Sequence, residues 1–219
     1  MTGKTHISGG LTAAAAVAAS ASQLPGDWAL LRGTVQLAGA DIPLYVLGAT
    51  LCVLAALLPD IDEPESLIVN SPDAAKKRLL RSRNKQQRAA GRTLALPLML
   101  SRWIFRALSG LIRVAAGGHR AATHWLLTAG VLSVGVWYLG TLIDYPVLWL
   151  WFAAGYLSHL VLDMCTPSGL ELLRPFFRGS LHLLPRPLRI QTGGAVDAAL
   201  RILLPAGAAA LLYRLPPSL

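Results

Sequence analysis

The stretch GYLSHLVLDMCTPSGLELLRPF, Gly155 to Phe176, opens as an apolar segment, yet it carries two ionisable side chains, His159 and Asp163. Four residues apart, they project from one face if the segment is helical. A charged aspartate at the centre of a membrane helix costs ~3 kcal/mol on insertion scales, so such a residue marks function by default. Two ligands at i and i+4 can grip one metal ion, or the aspartate can hold the imidazole in one tautomer for metal binding. The structural alternative is a hydrogen-bonded pair that ties two helices together.

Working outward, the 219-residue chain is long enough for one domain over 1–219. It is 54% hydrophobic and 14% charged, with a mean hydropathy of +0.51. A soluble domain of this size usually carries about 25% charged residues, so the deficit points to a membrane protein. The net charge of +9 is unevenly spread. Lys76, Lys77, Arg78, Arg81, Arg83, Lys85, Arg88 and Arg92 form one run, within a basic cytoplasmic loop over 70–93. Such a run suits anionic lipid headgroups, here at residues 76–92. No nucleic acid is expected, because the run has no aromatic residues on which bases would stack. Cys52 and Cys165 offer neither a metal-binding spacing nor a disulfide framework. The alanine-rich start ends in Ala19-Ser20-Ala21, so residues 1–22 read either as a retained first membrane helix, which we favour, or as a signal peptide.

The pattern predicts an all-α, polytopic membrane protein with about five membrane segments, near 8–23, 43–59, 123–142, 147–164 and 197–214. A sixth segment, near 94–116, differs. Arg102, Arg106 and Arg113 recur at helical spacing beside Leu100, Ile104, Leu108 and Leu111, which suits an amphipathic helix lying in the membrane interface. Pro25-Gly26, Pro72, Gly117-Gly118, Tyr145-Pro146 and Pro185 to Pro187 read as turns. If the basic run is cytoplasmic, the other basic stretches follow it. His6, Asp60 with Asp62, His119 with His124, and His159 with Asp163 then all fall at the cytoplasmic face of an inner membrane. Only lysines and arginines orient the chain in this scheme, so the gathering of imidazoles and carboxylates is not built in.

Three more patches carry chemistry. In ALLPDIDEPES, Ala56 to Ser66, Pro59 breaks the apolar run, and Asp60 and Asp62 follow with one residue between them. Alternating carboxylates on an extended turn can hold or bridge a cation, and a solvated acidic turn is the competing reading. In GGHRAATHW, Gly117 to Trp125, His119 and His124 sit about 140° apart on a helix, so one belongs in a turn and the other near a helix start, with Thr123 as its N-cap. Arg120 is placed to clamp an anionic group or, alternatively, to set topology. His182 reads as a loop residue. Imidazoles and carboxylates without thiolates suit Zn or Mn, as one divalent ion or two.

LLPDIDEPES, HRAATH and GYLSHLVLDMCTPSGLELLRPF resemble the three signature blocks of the YdjM-like family of inner-membrane, metal-dependent hydrolases, and Thr5-His6 fits its N-terminal pattern. Ala121 and Trp125 depart from the glycine and serine of that pattern. There is also a distant resemblance to zinc-dependent phospholipase C. The resemblance implies metal ligands at His6, Asp60, Asp62, His119, His124, His159 and Asp163. With it, we expect a membrane-bound hydrolase acting on a lipid or other phosphoester, with Asp60, Asp62 and Arg120 in catalytic roles. The alternatives are a non-catalytic membrane protein with a structural metal, and a metal-ion transporter, whose ligands would lie near mid-membrane rather than at one end. The oligomeric state is not legible.

Overall fold

The computed structural model describes residues 1–23, 33–37, 39–63, 66–115 and 122–213. Among these are eight helices: α1 (Gly3–Gln23), α2 (Leu44–Ala55), α3 (Leu67–Arg81), α4 (Lys85–Thr93), α5 (Ala95–Ala115), α6 (Leu126–Leu142), α7 (Leu148–Met164) and α8 (Ala195–Tyr213). A hairpin of β1 (Thr34–Leu37) and β2 (Ala40–Pro43) precedes α2, and the sequence reading had not foreseen it. The expected helical class holds, and so do the approximate positions of the six apolar segments.

The expectation of five membrane spans does not hold. Among the described residues only α8 is long and apolar enough to cross a membrane, or two spans if the bent pair Lys85–Thr93 and Ala95–Leu111 counts as one. The reason is length and composition. At 1.5 Å per residue, the 12 residues of α2 rise about 18 Å and the 17 of α6 or α7 about 26 Å, against a hydrocarbon core of about 30 Å. The 21 residues of α1 are long enough but are mostly alanine, glycine, serine and threonine. Helix α6 ends before a turn in which Asp144 takes a positive φ of 62° and the Tyr145 N–H bonds to the Gly140 carbonyl at 2.8 Å.

The chain divides into two compact units. The first comprises 1–59 and 124–219 and holds α1, α2, α6, α7 and α8. Within it α1 packs on α2, α7 and α8, while α2 and α6 pack on α7. The core gathers Phe152, Tyr156 and Leu160 of α7 with Ala55, Ala129 and Leu170; Trp151 of the same helix packs on Ala14, Ala18 and Cys52. Gly155 makes this possible. A Cβ there would lie 2.0 Å from the Cys52 carbonyl oxygen, so only glycine lets α7 and α2 approach so closely.

The second unit, 60–123, is built from α3, α4 and α5. The basic run folds on α3 and α4, with Arg78, Arg81, Arg83, Lys85, Arg88 and Arg92 exposed. Pro72 lies inside α3 rather than at a turn. Its missing N–H frees the Ile68 carbonyl, and the Ser71 hydroxyl donates to that oxygen at 2.9 Å. Asp73 joins α3 to α5 through Arg102 at 3.0 Å.

A buried cluster of three imidazoles and a carboxylate

Helix α7 supplies the first two members of the cluster. His159 and Asp163 lie one turn apart on its buried face, and both are wholly buried. Their direct separation, 3.8 Å between His159 Nε2 and Asp163 Oδ2, is too long for a hydrogen bond. His159 instead turns its other nitrogen to α2. Nδ1 lies 2.8 Å from the carbonyl oxygen of Ala56, the residue that caps α2. The last carbonyls of a helix have no partner within it, so one of them accepts the ring N–H. That bond fixes the tautomer and leaves the Nε2 lone pair aimed into the cluster.

His6 arrives from the first turns of α1. Its ring stacks on that of His159, with centroids 3.7 Å apart and planes 15° apart, and its Nε2 lies 3.4 Å from Asp163 Oδ1. His6 is fully buried, and neither of its ring nitrogens makes a hydrogen bond among the described residues. His124 closes the group. It ends the short 3-10 turn Ala122–His124, and its Nε2 lies 3.3 Å from His159 Nε2 and 3.9 Å from Asp163 Oδ2. The Met1 amino group also donates to Asp163 Oδ1.

The arrangement fits a metal ion. Two nitrogens bound at about 2.0–2.1 Å on neighbouring corners of a tetrahedron lie about 3.3–3.4 Å apart. The His124–His159 pair has that separation, and His6 Nε2 stands at the same distance from Asp163. His6, His159 and Asp163 form a group whose ligand atoms can share one ion. A buried imidazole with no hydrogen bond is costly unless something occupies its lone pair. The donor set, nitrogen and oxygen without sulfur, is that of zinc or manganese.

The first unit therefore brings together four of the seven expected ligands: His6, His124, His159 and Asp163. Asp60 and Asp62 lie on the 3-10 turn Leu58–Asp62, and both belong to the second unit. Asp62 is fully buried and Asp60 half-buried. Thr123 is not the N-cap of α6, a position that Trp125 holds without a side-chain bond; its hydroxyl instead donates to Asp62 Oδ2 at 3.3 Å. His119 and Arg120 lie outside the described residues. His182 sits in the exposed segment after α7, with Nε2 3.1 Å from the Pro167 carbonyl oxygen, and plays no part in the cluster. Burial, and then the Asp163 carboxylate, push the Cys165 thiol up, away from the reactive thiolate.

The sequence reading overlooked two contributors. The Ala56 carbonyl has no signal in sequence beyond its place at a helix end. Asp197, fully buried at the start of α8, accepts from the hydroxyl of Thr5, the residue before His6. Its signal was present as GGAVD, Gly193 to Asp197, an acidic residue three positions into an apolar helix.

A family model described as YdjM inner membrane protein matches residues 1–213. No curated protein and no solved structure matches the chain, so the distant resemblance to zinc-dependent phospholipase C has no counterpart among them.

Proposed function

The chain belongs to the YdjM inner membrane protein family, and from that premise we propose that it is a membrane-bound, metal-dependent hydrolase acting on a lipid or other phosphoester at the cytoplasmic face. The observation that carries this reading is the donor set: three buried imidazoles and one carboxylate converge with no thiolate among them. Structural zinc sites are usually rich in cysteine, whereas catalytic ones favour histidine with aspartate or glutamate.

His6, His124, His159 and Asp163 would hold the ion. When bound, it would lower the pKa of a water molecule and supply a hydroxide near neutral pH. The chain's own residues do the rest. The Ala56 carbonyl keeps His159 in the tautomer that offers Nε2. Asp163 supplies the negative charge that favours a cation over protonated imidazoles. Asp60 and Asp62 are proposed as general base or as ligands to a second ion, and Arg120 as the clamp on an anionic substrate. The basic run over 76–92 is proposed to meet anionic lipid headgroups, since most of its basic side chains are exposed.

A second reading has its own support. All four cluster residues are almost wholly buried, which suits a closed site whose metal staples α1 and α7 without catalysis. One experiment separates the two. Protein purified without chelator is analysed for metal, melted in detergent and assayed on a panel of lipid phosphoesters, beside Asp60→Asn and Asp62→Asn. The enzyme retains Zn or Mn and turns over. At least one variant then keeps its melting curve and loses roughly 10²–10⁴-fold in rate, the size of a general acid–base contribution. Bound metal, a cooperative melt and no turnover on any substrate would replace the hydrolase with the staple.

A further inference from the structure

Three hydroxyls along one face of α1 reach α8. Thr5 Oγ1 donates to Asp197 Oδ1 at 2.5 Å, Ser8 Oγ to the Arg201 carbonyl at 3.1 Å, and Thr12 Oγ1 to the Leu204 carbonyl at 2.9 Å. The spacings, three then four residues on α1 and four then three on α8, are those of facing helical stripes. The middle rung has a covalent cause. Pro205 stands inside α8 and has no N–H, so the carbonyl of Arg201, four residues back, loses its partner within the helix. A hydroxyl from a neighbouring helix is one of the ways such a freed carbonyl is satisfied in an apolar setting.

The first rung is the most enclosed. Thr5 and Asp197 are both fully buried. Asp197 Oδ2 is taken by the Gly193 N–H at 2.7 Å and the Arg201 guanidinium at 3.4 Å, which leaves Oδ1 to Thr5. The opposite side of α1 is also fixed. A Cβ on Gly10 would lie 2.9 Å from Ala56 Cβ and 3.0 Å from Val53 Cα, so α2 leaves α1 no room to shift. His6, next to Thr5, has no hydrogen bond through its ring among the described residues. Its place in the cluster depends on where α1 sits. A slip of one residue would move it ~1.5 Å along the axis and turn it ~100° away.

We infer that Thr5 and Asp197 are positioning residues of the metal centre: the hydroxyl ladder between α1 and α8 sets the register of α1 and thereby delivers His6 to Asp163. This rests on the metal-centre reading proposed above. The test uses the full chain in detergent, titrated with Co²⁺ as an optical probe and followed by NMR of the His6 ring in the metal-free state. Thr5→Val removes the rung but keeps the side chain's shape and the Gly193 N–H bond to Asp197 Oδ2. It is expected to weaken Co²⁺ binding by about tenfold, as losing a group that orients a metal ligand does. It should change the visible bands and abolish the ring-current shift that His6 takes from stacking on His159, with the cooperative melt retained. Thr5→Ser should restore all three. Wild-type Co²⁺ affinity together with unchanged His6 shifts in Thr5→Val would overturn the inference. If the wild type binds no Co²⁺, the metal reading falls, and the metal-free shifts still decide the register role: movement in Thr5→Val with recovery in Thr5→Ser supports it, and no movement overturns it. Should Thr5→Val fail to fold, Ser8→Ala asks the same question from the middle rung. It removes the hydroxyl that meets the Arg201 carbonyl, so the His6 shift must move, and an unmoved shift refutes the ladder's role.

Discussion

His159 uses its two ring nitrogens for different tasks. Nδ1 is spent on the Ala56 carbonyl, and this leaves Nε2 to face His124. The Asp163 carboxylate meets His6, His124 and His159. Replacing it by asparagine keeps the shape but removes the charge that attracts a cation. Asp163→Asn is therefore expected to lose most of the bound metal, at least about tenfold in affinity. Elemental analysis of the purified variants checks this, and wild-type metal content in Asp163→Asn would remove the aspartate from the centre. The i, i+4 pairing of His159 and Asp163 was legible in sequence because both lie on one helix. The tautomer of His159 was not, since its determinant lies 103 residues away.

At the scale of elements, the close approach of α2 and α7 is what brings Ala56 to His159. Gly155→Ala would push a methyl group into the Cys52 carbonyl, and the helices would have to separate. Overpacking of this kind costs about 1–3 kcal/mol. We expect a lower melting temperature and weaker metal binding together, because the Ala56 carbonyl moves with α2. Gly130 on α6 is the control: a Cβ there meets nothing within 4 Å, so Gly130→Ala should leave metal binding unchanged and, by helix propensity alone, keep or slightly raise the melting temperature. Melting curves with and without metal measure both effects. The sequence placed these helices to within a few residues, because apolar periodicity and breakers such as Tyr145-Pro146 act locally. It misread Pro72 as a turn. A proline is tolerated inside a helix when a hydroxyl takes the freed carbonyl, and Ser71 does so here.

For the whole molecule, charge is the organising quantity. The segment 60–123 carries twelve lysines and arginines against five aspartates and glutamates, so most of the net +9 resides there. Its helix α5 also exposes Leu96, Leu100, Trp103, Leu111 and Val114. At 100° per residue these fall within a sector of about 80°, an apolar stripe beside a basic surface. The positive-inside asymmetry predicts that residues 76–92 face the cytoplasm. A single cysteine at Lys85, probed with an impermeant reagent on intact and on permeabilised cells, tests this. Label only after permeabilisation is expected; label on intact cells would put the basic run on the other side.

By itself, the sequence determined the helical class, the positions of the apolar helices, the concentration of positive charge and the pairing of His159 with Asp163. Each follows from composition or from spacing within one element, where 3.6 residues per turn fixes what lies on a face. Tertiary structure decided that His6 and His124 meet the α7 pair, and that a threonine and an aspartate 192 residues apart hold α1 in register. Those outcomes depend on how closely helices pack, and therefore on single groups such as the hydrogen of Gly155 and the missing N–H of Pro205. Their effect is felt only by partners far away in the chain.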